Sequence, residues 1–231
     1  MRYRTFTLAA VTALTVGTAG PLAAQTDVVE QTDAEVVNLM DWDQTQLYQG
    51  WQVSELMDAE VIGAAGEEIG EVEDVLFSPD GSVDSIIVEG GGIWDIGDTH
   101  FRVEWDQVTV NSMDSVTIPM TEETVEDFSV YRDWDDRAAT RRWRATELIG
   151  DYATLKDVDQ YGIVDDLIVK DGQLEAVVVS PDVAYGTRGY YAYPYYGYGY
   201  GYEPGVDYYG LPYEEADIVD YDPFDYDAMD Y

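Results

Sequence analysis

Five pairs of residues recur at one spacing. Trp51 and Trp143, Glu55 and Glu147, Leu56 and Leu148, Gly70 and Gly162, and Asp74 and Asp166 each lie 92 positions apart. Gly81 and Gly172 continue the series at a spacing of 91, after a one-residue deletion. An unbroken register marks a duplication, and two copies of so long a period mean two domains rather than a solenoid. The recurring unit is a hairpin. Glu68 to Val88 reads as two β-branched runs around Pro79-Asp80-Gly81, where Pro fixes its own backbone and Gly accepts positive φ. The second copy runs from Tyr161 to Val179 around Lys170-Asp171-Gly172.

Short strands punctuated by Gly and Pro surround each hairpin. In the first copy these are Val61-Ile62, His100 to Trp105, Val108 to Val110 and Val116 to Ile118. The pattern predicts an all-β chain of two tandem, small, closed antiparallel barrels. A short helix from Thr121 to near Phe128 and a polar linker separate them. The boundaries read as a signal peptide at 1–24, an acidic leader at 25–50, a first barrel at 51–128, a linker at 129–142, a second barrel at 143–222 and an acidic aromatic tail at 223–231. Arg132, Arg137, Arg141, Arg142 and Arg144 crowd the linker region, where pairing with the acidic surface is the simplest role.

Charge limits the partners. The chain carries 48 acidic and 11 basic residues, a formal net charge of −37. Nucleic acid and anionic membranes are repelled by such a surface. There is no cysteine and one histidine, His100, so disulfides, thiol catalysis and multi-histidine metal centres are excluded. The N-terminus has Arg2 and Arg4, an apolar run from Phe6 to Ala19, and small residues up to Ala24. This is the three-part export pattern and predicts a periplasmic protein.

The first copy carries a set of motifs: Ser54-x-Leu56, Gly66-Glu67-x-Ile69-Gly70-x-Val72-x-Asp74-Val75, Asp80-Gly81, Ile86-x-Val88, a glycine-rich stretch at 90–97 and Val103-x-Trp105. Together they resemble the PRC-barrel family, the β-barrel domain of the photosynthetic reaction-centre H subunit. The resemblance covers 51–120 well and 143–183 less fully. It implies a binding or assembly domain with no shared catalytic residues, and fold analogy by itself licenses no activity.

Fifteen of the twenty tyrosines lie between Tyr185 and Tyr231. Residues 185–209 read either as the start of a disordered adhesive tail or as a Tyr/Gly-rich loop inserted in the second barrel. The loop is favoured, because Leu211-Pro212-Tyr213-Glu214 echoes Val103 to Asp106 and would supply the late strands. Tyr190, Tyr191, Tyr193, Tyr195, Tyr196, Tyr198, Tyr200 and Tyr202 then form the candidate contact surface. Ring packing over the open end of the second barrel is the competing reading. Gly70, Asp74, Gly81, Gly162, Asp166 and Gly172 are structural repeat positions. Each aspartate is expected to accept backbone N–H groups of a nearby turn.

No cofactor or metal motif is present: the glycines at 63–70 lack a phosphate-loop lysine, and no stretch matches the calcium loop. The expected function is non-enzymatic binding or scaffolding through protein contacts, with an unidentified protein partner from the envelope or a photosynthetic complex. An accessory role in a photosynthetic complex is the alternative, and a carboxylate-dependent hydrolase a remote one.

Overall fold

The computed structural model describes residues 36–91, 98–121, 123–131, 142–185, 189–197 and 206–229. The expected signal peptide, the start of the leader, most of the glycine-rich stretch at 90–97, most of the linker, and Tyr198, Tyr200 and Tyr202 lie outside them. Everything described belongs to one compact unit, Gln31–Tyr231. Among these residues no helix is long and apolar enough to cross a membrane.

The chain is mostly β. The first repeat contributes β1 (Trp51–Gln52), β2 (Glu60–Ile62), β3 (Glu68–Phe77), β4 (Val83–Gly91), β5 (Asp98–Glu104), β6 (Thr109–Ser112), β7 (Ser115–Thr117) and β8 (Ser129–Val130). The second contributes β9 (Trp143–Arg144), β10 (Tyr152–Leu155), β11 (Val158–Lys170), β12 (Gln173–Pro181), β13 (Tyr191–Pro194) and β14 (Tyr208–Gly210). The first sheet has the order β6-β7-β2-β3-β4-β5-β8, and the second β13-β12-β11-β10-β14. The two share one register. β2 runs parallel to β7 with Val61 opposite Val116, and β10 runs parallel to β14 with Ala153 opposite Tyr209.

Two expectations are corrected here. The sheets are open rather than closed barrels. The opening segment of each repeat also leaves its own sheet: β1 pairs with β11, Trp51 opposite Val169, while β9 pairs with β3, Trp143 opposite Phe77. The two repeats therefore exchange their first strands. Each long strand runs on past the end of its own β2 or β10, and along the same edge the other repeat's strand satisfies the backbone groups left uncovered.

Apolar packing fixes the exchange. Trp143 stacks on Phe77 with ring centroids 4.6 Å apart, and Trp51 lies 5.1 Å from Trp105. One continuous core runs through both repeats, from Val53 and Leu56 to Leu148 and Val177. The hairpin turns meet at the centre. Val83 N–H donates to the Gly172 carbonyl and Leu174 N–H to the Gly81 carbonyl, both at 2.9 Å. Each glycine has positive φ, +84° at Gly81 and +77° at Gly172, a conformation at which a Cβ is penalised. The deleted residue changes the second turn to a two-residue link, with Asp171 also at positive φ.

Other segments differ from expectation. The helix expected from Thr121 is a single 3-10 turn, Val125–Asp127. Thr121 does not cap it, because its hydroxyl lies 3.0 Å from that of Thr124, and such local bonds compete with helix. Ser129–Val130, placed in the linker from sequence, pairs with β5 as β8. The leader forms two 3-10 turns, Leu39–Asp41 and Gln44–Gln49, capped by the side chains of Asn38 and Asp43. Within the tail, Phe224 and Met229 bury with Leu47, Ile168 and Val178 in a second apolar cluster.

Candidate functional site

The two repeats carry different side chains at matching core positions. Val103 and Phe101 of β5 face Ile86 and Val88, while Tyr193 and Tyr191 of β13 face Val177 and Val179. Tyr161 stands 92 positions after Ile69, and Tyr209 takes the place of Val116. The second core is therefore built from tyrosines, and a buried hydroxyl needs a partner. The Tyr161 and Tyr193 hydroxyls meet at 2.7 Å, Tyr221 donates to the Ala192 carbonyl at 2.6 Å, and Tyr196 and Tyr213 meet at 2.5 Å. Burial pushes the Tyr161 phenol up to about 12 and those of Tyr193, Tyr213 and Tyr221 further up. These groups stay protonated: Tyr213 and Tyr221 donate to backbone carbonyls, and in the Tyr161–Tyr193 pair one hydroxyl donates while the other accepts.

This corrects the expected loop. Residues 191–194 form a core strand, and Tyr191 and Tyr193 are buried, so neither belongs to a contact surface. Leu211 and Tyr213 match Ile118 and Met120 rather than β5: Leu211 N–H donates to Thr154 as Ile118 N–H does to Ile62, and Lys156 N–H donates to Tyr213 as Ala64 N–H does to Met120. Tyr190 is partly exposed and lies edge-on to Tyr226, 4.8 Å away.

Tyr195 and Tyr196 reach the surface. With Trp42, Pro79, Asp80 and Glu175 they line a groove of about 670 Å³ beside the paired hairpin turns. The Tyr196 and Tyr213 hydroxyls also hold the backbone of Val37, by accepting its N–H at 3.0 Å and donating to its carbonyl at 3.1 Å. Nothing in the acidic leader signals that Trp42 joins this groove. Aromatic faces beside two carboxylates can accept apolar or cationic side chains of a partner.

The repeat positions form the frame under the groove. Gly70 and Gly162 sit where a Cβ would fall inside van der Waals distance of the Glu89 and Ser180 carbonyl oxygens. A β-bulge follows each, at Glu73 and Asp165, and it turns the next aspartate inward. Asp74 accepts from the Thr146 N–H at 3.3 Å and the Thr146 hydroxyl at 2.5 Å. Asp166 accepts from the Ser54 N–H at 3.0 Å and the Ser54 hydroxyl at 2.5 Å. Each thus caps the one-turn helix of the opposite repeat, Ala145–Leu148 or Val53–Leu56. Burial raises both carboxyls, Asp166 to about 6, despite the hydrogen bonds that oppose the shift.

His100 lies 3.2 Å from the Glu73 carboxylate, and both are well exposed. Arg142 pairs with Asp84 at 2.8 Å, and Arg144 lies 3.8 Å from Asp74. Among the described residues no three His, Asp or Glu side chains are grouped to hold a metal ion.

No curated protein matches this chain. Among solved structures, one described as a 16S ribosomal RNA processing protein, RimM, from Pseudomonas aeruginosa is similar at 11% identity and a TM-score of 0.26, covering 63% of this chain and 98% of that one. The match to a family is confined to the first repeat: residues 52–127 match the PRC-barrel domain.

Proposed function

We propose that this is an exported, non-enzymatic binding protein of the periplasm, in which two exchanged PRC-like repeats form a frame that holds a protein partner. The second repeat is read as a diverged copy of the first, since the two share hydrogen-bond registers and capping aspartates. The observation that carries the reading is the groove between the paired turns, where Trp42, Tyr195 and Tyr196 stand beside Asp80 and Glu175. Aromatic anchors on a preorganised backbone bind protein segments at small entropic cost.

The test places a photoreactive amino acid at Glu175, whose side chain is exposed at the groove. A matched variant carries it at Glu71, exposed on the first sheet. Irradiation in cells should give one crosslinked protein with the first variant and none with the second. Identical products, or none from Glu175, would remove the groove from the account.

A further inference from the structure

The outer faces of the two sheets can be compared position by position. In the first sheet Ser115, Glu60, Glu71 and Glu89 form one cross-strand row over β7, β2, β3 and β4. In the second sheet the same row, over β14, β10, β11 and β12, reads Tyr208, Tyr152, Ile163 and Ser180. Three carboxylates and a serine have given way to two tyrosines, an isoleucine and a serine. Tyr208, Tyr152 and Ile163 are 51%, 50% and 47% exposed, and Val183 nearby is 89% exposed. Packing inside the protein does not account for them, and clustered exposed apolar side chains mark interaction surfaces.

Two hollows of about 410 Å³ each flank Tyr152 and share Gln160. One reaches Ile163, Pro181 and Val183, the other Leu155 and Tyr208. Asp165 and Asp182 border the first, Asp159 and Asp207 the second, and among the described residues no lysine or arginine lines either. Next to Tyr152, burial and the carboxylates of Asp207 and Glu147 push Asp151 up to about 6, as expected in a negative field.

We propose that this face docks a cationic segment of a partner protein, with aliphatic or aromatic side chains entering the two hollows and flanking Lys or Arg side chains meeting the four aspartates. A second copy of this chain fits poorly, because two molecules of net charge −37 would bring like rims together. A neutral glycan could stack on the tyrosines but would leave the four carboxylates uncompensated. The inference rests on the chain being a binding module, but not on the groove at Tyr196, with which this face shares no lining residue.

The first row supplies a variant that the fold already tolerates. Tyr152→Glu, Ile163→Glu and Tyr208→Ser together write the first sheet's surface onto the second at matching register. The full chain and this triple variant are titrated, by fluorescence anisotropy near physiological salt, with a labelled peptide alternating Lys with Leu and Tyr, and with an all-lysine peptide of equal length. The alternating peptide should bind the parent about tenfold or more tighter than it binds the variant. The all-lysine peptide should bind the variant at least as well as the parent, since two negative charges were added. Equal affinity of the alternating peptide for both proteins, no binding to the parent, or no preference over all-lysine would overturn the proposal. So would a parent dimer in sedimentation that the variant loses, which assigns the face to a second copy. Chitotetraose bound by the parent alone would assign it to glycan. The groove crosslink at Glu175 can succeed or fail independently of each result.

Discussion

Replacing Asp166 by Asn should stabilise the protein above neutral pH and remove part of its pH dependence. The carboxylate is 2% exposed and accepts from Ser54 N–H, the Ser54 hydroxyl and Leu167 N–H. Asn keeps these contacts: its Oδ1 accepts both N–H groups, and its Nδ2 donates to the hydroxyl. Only the buried charge is lost. Burial raises the folded carboxyl to about 6, against 3.8 for the free group. The folded state therefore holds this proton more tightly than the unfolded chain. Its stabilising contribution is complete below the unfolded value and is lost as pH rises through about 6. A shift of about 2 units corresponds to roughly 3 kcal/mol, the gain expected for Asp166→Asn at about pH 7.5. At about pH 5 the parent regains close to half, so the gap between the proteins should narrow by about 1.4 kcal/mol. Urea unfolding of both proteins at the two pH values, in about 0.5 M NaCl to screen the general negative charge, measures the gap directly. Other carboxylates titrate too, but they cancel in the difference. A gap that does not change with pH, or an Asn variant less stable at pH 7.5, would refute the reasoning.

Two further expectations follow from the second core. Tyr193→Phe strands the Tyr161 hydroxyl in the interior and should cost about 1–3 kcal/mol, while adding Tyr161→Phe should recover most of it, because removing both partners leaves no buried unpaired group; thermal melts of the single and double variants decide. Gly162→Ala drives a Cβ into the Ser180 carbonyl and should destabilise by about 1–3 kcal/mol or more, read as a lower urea midpoint.

The repeat register, the hairpins and the turn glycines were legible in the sequence because they are local. Alternation, β-branching and a Gly in each turn determine them within about twenty residues. The exchange of β1 and β9 was not. Trp51 and Trp143 head their repeats identically whether each strand joins its own sheet or the other, so the motif is silent on the choice. β13 was hidden differently. Tyr191-Ala192-Tyr193-Pro194 lies in a low-complexity run, where hydroxyls made the core positions look like surface. The hydrogen bonds between those hydroxyls depend on residues up to 32 positions apart. The outer row at Tyr152, Ile163 and Tyr208 was readable in principle. Tyr152 stands 92 positions after Glu60, as Ile163 does after Glu71, and the change from acid to apolar side chain at one register is the signal.

The exchanged strands impose an order of events on synthesis. The strand beginning at Trp51 takes its ladder partners from Ile168 and Val169, so the amino-terminal half cannot finish maturing when its own last strand emerges. A polypeptide delivered amino-end first, by a ribosome or through a narrow pore, must keep that segment waiting until more than a hundred further residues have followed. The knitting of the two halves thus delays commitment to the final shape until about three quarters of the chain is on the same side.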